Sequence, residues 1–406
     1  MRSIGLGALA CILWLFAGIA SATAYASTLP PEGIFENCNL DTQMSTCVQR
    51  LQVIHQGGFQ IVVISATAGS PASLAAYASS AQSLGMSVMW EISNPTWWQD
   101  PSTSTNASGC FPGFAAGCGC NQNGSLLAYL VHWLGQLPGT YGYYAADDTM
   151  LSPGDPAGVA SYVAQIKQQD PRHTVMIGAA DESQANTYVR IADVIGTDLY
   201  PVTTDSLMPV SANQDMWSSV AQGAIDAQQA ADSAGKQSAF ILQAFTWGDN
   251  LSDGQIIGAC SPSDTQMSCY SKLRYPSSAE QLQLRNEMLL HAHPKLILWW
   301  SFPGTYGDVT GDTYSIYPTG AEAAARWFGL AAAIQAPFPQ TAAAAQASAP
   351  AASARPSGPA GPARTNVRAR VLKIRAHIAL MNFKSHSNRK RHHRRHHLKH
   401  RRRKRA

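Results

Sequence analysis

Gly142-Tyr143-Tyr144-Ala145-Ala146-Asp147-Asp148 is apolar for the length of a strand and then ends in two carboxylates. Three later runs share this plan. Val194-Ile195-Gly196-Thr197-Asp198-Leu199-Tyr200-Pro201 closes on Asp-x-Tyr-Pro. Residues 239–247 close on Gln243, Phe245 and Trp247, and residues 296–302 close on the pair Trp299-Trp300 before Phe302. Short apolar runs separated by helical stretches read as strands buried on both faces, as in a parallel sheet covered by helices.

Working outward gives eight such strands, at 33–37, 60–65, 87–93, 142–147, 174–179, 194–200, 239–245 and 296–302. Helical stretches lie between them, among them 45–56, 71–84, 125–137, 156–169, 215–234 and 278–292. Ser70-Pro71 fits an N-cap followed by a first-turn proline, Gly85 fits a helix stop, and Glu280 gives a capping signal near Ser277-Ser278. Eight alternating units predict a (β/α)8 TIM barrel rather than an open doubly wound sheet. No Gly-rich phosphate loop follows any strand, which points the same way. In such a barrel the residues that end the strands build the site.

The 406 residues divide into unequal parts. Residues 1–26 carry Arg2, an apolar run from Ile4 to Ala20 and then Ala24-Tyr25-Ala26, the pattern of a secretory signal peptide cut after Ala26. The alternative is an uncleaved anchor. Residues 27–340 are the barrel domain. Residues 341–363 are rich in Ala, Pro and Ser and read as a linker. Residues 364–406 form a basic tail rich in Arg, Lys and His, expected to be disordered. The net charge of +4 hides this division. Residues 341–406 hold 18 of the 29 Lys and Arg, 7 of the 12 His and no acid, whereas the domain holds all 25 acids against ten bases. The tail is expected to adhere to an anionic cell-wall polymer or membrane surface. Seven cysteines follow the leader. Export makes disulfides plausible, with Cys38–Cys47 stapling the loop after the first strand and Cys260–Cys269 the loop after the seventh. Cys110, Cys118 and Cys120 leave one thiol over. No metal or other cofactor is expected, and the protein is expected to be monomeric and located outside the cell or in its envelope.

Four motifs in order resemble the secreted TIM-barrel glycoside hydrolases of the broad clan-A type. They are Gly142-Tyr143-Tyr144 with Asp147-Asp148, then Gly196-Thr197-Asp198-Leu199-Tyr200-Pro201, then Gln243-Ala244-Phe245-Thr246-Trp247, then Arg274-Tyr275-Pro276-Ser277. The resemblance spans about residues 30–330 and implies a carboxylate general acid/base mechanism. There are two departures: Asp148 stands where the group has Glu, and Gln243 where a retaining enzyme places its nucleophilic Glu.

Side chains alternate along a strand, so Gly142, Tyr144, Ala146 and Asp148 share one face. If that face is the mouth, Asp148 is the candidate general acid and Asp147 packs or caps the next turn. A plain role for Asp148 is an N-cap or Asx turn. Asp198 and Glu91 are the candidate catalytic partners, and Asp198 could instead only orient Tyr200 or Gln243. Glu36, Tyr144, Tyr200, Gln243, Trp247 and Trp300 are candidate substrate contacts. Glu36 and Glu91 are also possible ion-pair partners of Arg274. Trp97, Trp98, Trp299 and Tyr306 lie near strand ends too, and sugar rings stack on such aromatics. Trp299 and Trp300 point opposite ways, so at most one faces the mouth. A Ser-His-Asp elbow and an H-E-x-x-H helix are missing. The expectation is a polysaccharide hydrolase. Its rival is a barrel that binds carbohydrate without turnover, held at an anionic envelope by its tail.

Overall fold

A computed structural model describes residues 29–93, 126–147, 151, 155–203, 210–249, 254–255, 258–303 and 320–338. The signal, the linker, the tail, the Cys110–Cys120 region and Asp148 lie outside these residues. The described residues from Pro31 onward belong to one unit.

Eight parallel strands close on themselves in sequence order. They are β1 (Glu32–Glu36), β2 (Ile61–Ser65), β3 (Ser87–Glu91), β4 (Thr140–Ala146), β5 (Thr174–Ala179), β6 (Val194–Leu199), β7 (Gln237–Gln243) and β8 (Leu296–Trp300). Each of the eight expected strands is present, and Gly33 facing Leu298 closes the ring. The helices are α1 (Leu40–Gln56), α2 (Pro71–Ser83), α3 (Leu126–Leu134), α4 (Pro156–Gln169), α5 (Glu182–Tyr188), α6 (Val210–Ala234), the short α7 (Gln266–Tyr270), α8 (Ser278–His291) and α9 (Ala321–Gln335). Helix α1 starts five residues before the expected Ser45. Asn39 caps it by accepting from Thr42 N at 3.1 Å, and a kink at Gln43 follows.

Punctuation residues set the other boundaries. Ser70 and Pro71 open α2 as read, and Gly85 takes φ +75°, a left-handed conformation that costs Gly little. The cap of α8 is Ser277, one residue before Ser278. Its hydroxyl accepts from Glu280 N at 3.3 Å, and Glu280 Oε2 accepts from Ser277 N at 2.9 Å, a complete capping box.

Strand alternation sorts the apolar side chains into two layers. Phe35, Ile61, Val63, Met89, Tyr144, Met176, Ile241 and Leu298 fill the barrel interior. Ile34, Val62, Trp90, Tyr143, Phe240 and Trp299 pack outward against the helices. A buried ion pair lies in the outer layer, between strand and helix: Arg285 Nε of α8 donates to Glu32 Oε1 at 2.5 Å, and Trp299 Nε1 donates to Glu32 Oε2 at 3.0 Å. The Cys38–Cys47 and Cys260–Cys269 disulfides are both present, as expected.

Candidate functional site

The mouth is formed by the C-terminal ends of the strands, and it starts with β3. Met89 lies inside, so Glu91 shares its inward face. Ser93 donates to Glu91 Oε1 at 2.8 Å, and the Tyr162 hydroxyl of α4 donates to Ile92 O at 2.5 Å, fixing the turn beyond it. Burial pushes the Glu91 carboxyl above its usual range; the Ser93 bond opposes this, and the negative charge of Asp147 adds to it.

Strand β4 departs from strict alternation. Tyr144 faces Met176 but Ala146 faces Ile177, so two residues on β4 advance the register by one on β5. This is a bulge at Ala145, and it resets the phase of everything after it. Ala145 and Ala146 both pack in the outer layer, whereas Tyr144 belongs to the interior. Asp147 therefore returns to Tyr144, whose hydroxyl donates to Asp147 Oδ1 at 2.5 Å. The expectation that Asp147 only packs or caps a turn is corrected: it stands in the mouth. The Asp147-Asp148 pair was legible in the sequence, but the bulge that turns Asp147 to Tyr144 left no pattern there.

The fully buried Tyr144 phenol is held well above its ordinary pKa by burial and then by the charges of Asp147 and Asp198, so it remains a proton donor. Its hydroxyl fills the space at Gly178 on β5, where a β-carbon would collide with it. On β6, Val194 and Tyr200 lie with the interior cluster, so Asp198 between them faces inward, as alternation predicts. Glu91, Asp147 and Asp198 thus converge on Tyr144 from three strands.

An aromatic wall completes the mouth. Leu298 is interior, so Trp300 on the same face looks into the mouth; it is 38% exposed and stands 4.8 Å from the Phe35 ring. Trp299 is buried in the helix layer, which settles the orientation of the pair. The Trp300–Ser301 peptide is cis. Tyr200 packs edge-on against Phe245 at 5.1 Å and Trp247 at 6.0 Å. Trp247 also rests on the Cys260–Cys269 cluster.

Two expected contacts have other partners. Gln243 is buried and binds backbone: its Oε1 accepts from Val202 N at 2.8 Å, and its Nε2 donates to Val202 O at 2.8 Å and Phe245 O at 3.2 Å. It braces the chain around Tyr200. Glu36 turns outward to Arg50 of α1 at 2.9 Å. Arg274 grips Glu280 through two 2.7 Å bonds, so the suggested pairing with Glu36 or Glu91 is replaced by this one. Asp148, Trp97, Trp98 and Tyr306 lie outside the described residues. Among those residues no His, Cys, Asp and Glu group is arranged to hold a metal ion.

No protein-family model and no curated protein sequence matches this chain. Solved structures with a similar course include the endo-β-1,4-mannanase of Thermotoga petrophila, at 13% identity over 76% of this chain and 77% of that one, TM-score 0.44. They also include a GH5_18 protein of Bifidobacterium longum subsp. longum in complex with Manβ1-4GlcNAc, at 11% identity, 76% and 79% coverage, TM-score 0.47. The D-psicose 3-epimerase of Clostridium cellulolyticum is a third, at 12% identity, 75% and 96% coverage, TM-score 0.39. Likeness this distant spans different chemistries and says nothing of the reaction.

Proposed function

We propose that the barrel mouth binds a polysaccharide and hydrolyses it with carboxylates. One observation carries this reading: on the mouth that Trp300 also faces, a partly buried Glu91 has a raised pKa and feels the charge of Asp147. A raised carboxyl is a reservoir for the proton that a glycosidic oxygen needs, and an ionised neighbour can activate water or steady the cationic transition state. Glu91 takes the acid role among the described residues. Asp198 and Asp147 supply the ionised partner, and Asp148 remains a candidate acid beside them. Trp300, Tyr200 and Trp247 offer faces for sugar rings. Secretion through residues 1–26, a monomeric state and envelope adhesion by residues 364–406 belong to the same proposal.

The test is reducing-sugar release by the full chain across plant, fungal and bacterial wall polysaccharides. The variants Glu91→Gln, Asp147→Asn, Asp148→Asn and Asp198→Asn are run beside it. Release lost in Glu91→Gln or Asp148→Asn names the acid; release retained in all four removes the mechanism.

The second reading is binding without turnover, and Gln243 favours it. The end of β7 holds a neutral amide committed to backbone, so that strand offers no nucleophile. Persistent oligosaccharide binding with no hydrolysis after long incubation selects this reading.

A further inference from the structure

A second concavity lies at the opposite end of the barrel from the mouth, where β5, β6 and β7 begin. It measures about 390 Å³, within the roughly 300–1,000 Å³ of small-molecule pockets. Its charged lining is Lys167 near the end of α4, Arg172 and His173 before β5, Asp193 before β6 and Lys236 before β7. Three fixed positive charges there meet the single acid Asp193, and His173 adds an imidazole. Lys167 is already committed: its ammonium donates to Asp193 Oδ2 at 2.9 Å and to Pro171 O and His173 O at 3.1 Å each. The same Asp193 oxygen accepts from Val175 N at 3.0 Å. Lys236 is partly buried and has no acidic partner among the described residues.

A buried group sets the imidazole from behind. Asp170 accepts from His173 Nδ1 at 2.5 Å and from the Tyr143 hydroxyl at 2.8 Å. Gly135 makes room for it, since a β-carbon there would collide with the Asp170 carboxylate. With Nδ1 engaged, Nε2 is the ring nitrogen left for the cavity. The Arg172 side chain is exposed; its Nη2 donates to Gly135 O at 3.2 Å, and its nearest acid, Asp170, stands 3.8 Å away. The charges of Arg172 and Lys236 therefore line one cavity without a close carboxylate each, and they repel until an anion stands between them. A guanidinium fork, an ammonium and an imidazole nitrogen suit the three terminal oxygens of a phosphate, whereas a carboxylate is satisfied by the fork alone. We infer that this groove binds a phosphoryl group carried on a small polar unit. The site is separate from the mouth and does not depend on the polysaccharide reading.

The experiment reads each lysine of the full chain separately, by the rate of methylation with formaldehyde and a borane, followed by peptide mass spectrometry. Phosphate drawn to the lysines of residues 364–406 then does not obscure the result. Saturating inorganic phosphate is expected to slow labelling of Lys236 at least fivefold, and that of the exposed Lys295 less than twofold. Arg172→Ala and His173→Gln, each checked for unchanged thermal unfolding, are expected to abolish the protection. Glycerol 3-phosphate and an oligomer of glycerol phosphate diesters are run beside the free ion. Whichever of the three protects Lys236 at the lowest concentration names the source of the phosphoryl group: a free ion, a monoester or a polymer. Equal slowing by sodium chloride at the same ionic strength reduces the effect to screening and overturns the inference. Equal protection by acetate overturns the phosphoryl class. Protection that survives in both variants places the anion elsewhere and overturns the site, as does unaltered labelling of Lys236 under every ligand.

Discussion

Tyr144 donates its hydroxyl to Asp147 at 2.5 Å across a one-residue bulge. A bond this short to a carboxylate is charge-assisted. It holds Asp147 close enough to Glu91 for the Asp147 charge to raise the Glu91 carboxyl.

The sign of that influence is testable. Asp147 holds the Glu91 proton to higher pH, so activity that depends on protonated Glu91 falls as pH rises through its pKa. Asp147→Asn removes the negative charge and lowers that pKa. The alkaline limb of kcat/KM should move to lower pH in the variant, and an unmoved limb would separate the two residues. Tyr144→Phe should move the limb less, since the charge stays.

Gly178 leaves room for the Tyr144 hydroxyl. Gly178→Ala forces the phenol aside and should cost about 1–3 kcal/mol, the usual range for overpacking. Combining it with Tyr144→Phe removes one of the colliding atoms. The double variant should then be more stable than the sum of the single losses predicts, by denaturant titration. Strict additivity would mean that the two do not meet.

Arg285 keeps Glu32 compensated inside the helix layer. Arg285→Met leaves that carboxyl buried without its partner, at a cost of about 3–5 kcal/mol at neutral pH. Burial already raises the Glu32 pKa against the pull of Arg285, and losing the guanidinium raises it further. The variant's deficit should therefore shrink as pH falls and Glu32 takes up a proton. A deficit that grows in acid contradicts this.

Asp170 is buried and accepts from the Tyr143 hydroxyl at 2.8 Å, with the His173 ring nitrogen Nδ1 at 2.5 Å. Burial alone would raise its pKa, but these bonds outweigh it and the net shift is downward. The folded value lies below the unfolded one, so the stabilisation is complete above ordinary aspartate titration, about 3.9, and is lost as pH falls through that window. Asp170→Asn should unfold more readily at neutral pH by about 1–3 kcal/mol and converge with the parent in acid.

The Cys260–Cys269 bond closes a loop of nine positions beneath Trp247. Replacing both cysteines with serine should cost about 2–3 kcal/mol by loop entropy. It should also shift the Trp247 emission, while oligosaccharide binding weakens severalfold. Unchanged emission would show that the indole is held by Tyr200 and Phe245 alone.

The barrel was legible because its evidence is local. Eight apolar runs, turn glycines and caps such as Ser70-Pro71 each act within a few residues, and their order alone favours closure over an open sheet. The shared face of Gly196, Asp198 and Tyr200 followed from the period of two in an unbroken strand. Alternation failed where the strand itself was irregular: the bulge at Ala145 moved Asp147 to the inner face. It was also silent about which of two faces is inward. The outward turn of Glu36 to Arg50, the commitment of Gln243 to Val202 and the choice of Trp300 over Trp299 all depend on neighbours distant in the chain. The sequence by itself determined the elements, their order and the chemical inventory at their ends. Only the tertiary structure decided which of those groups meet, because backbone register and packing across the barrel are set by contacts that no local pattern records.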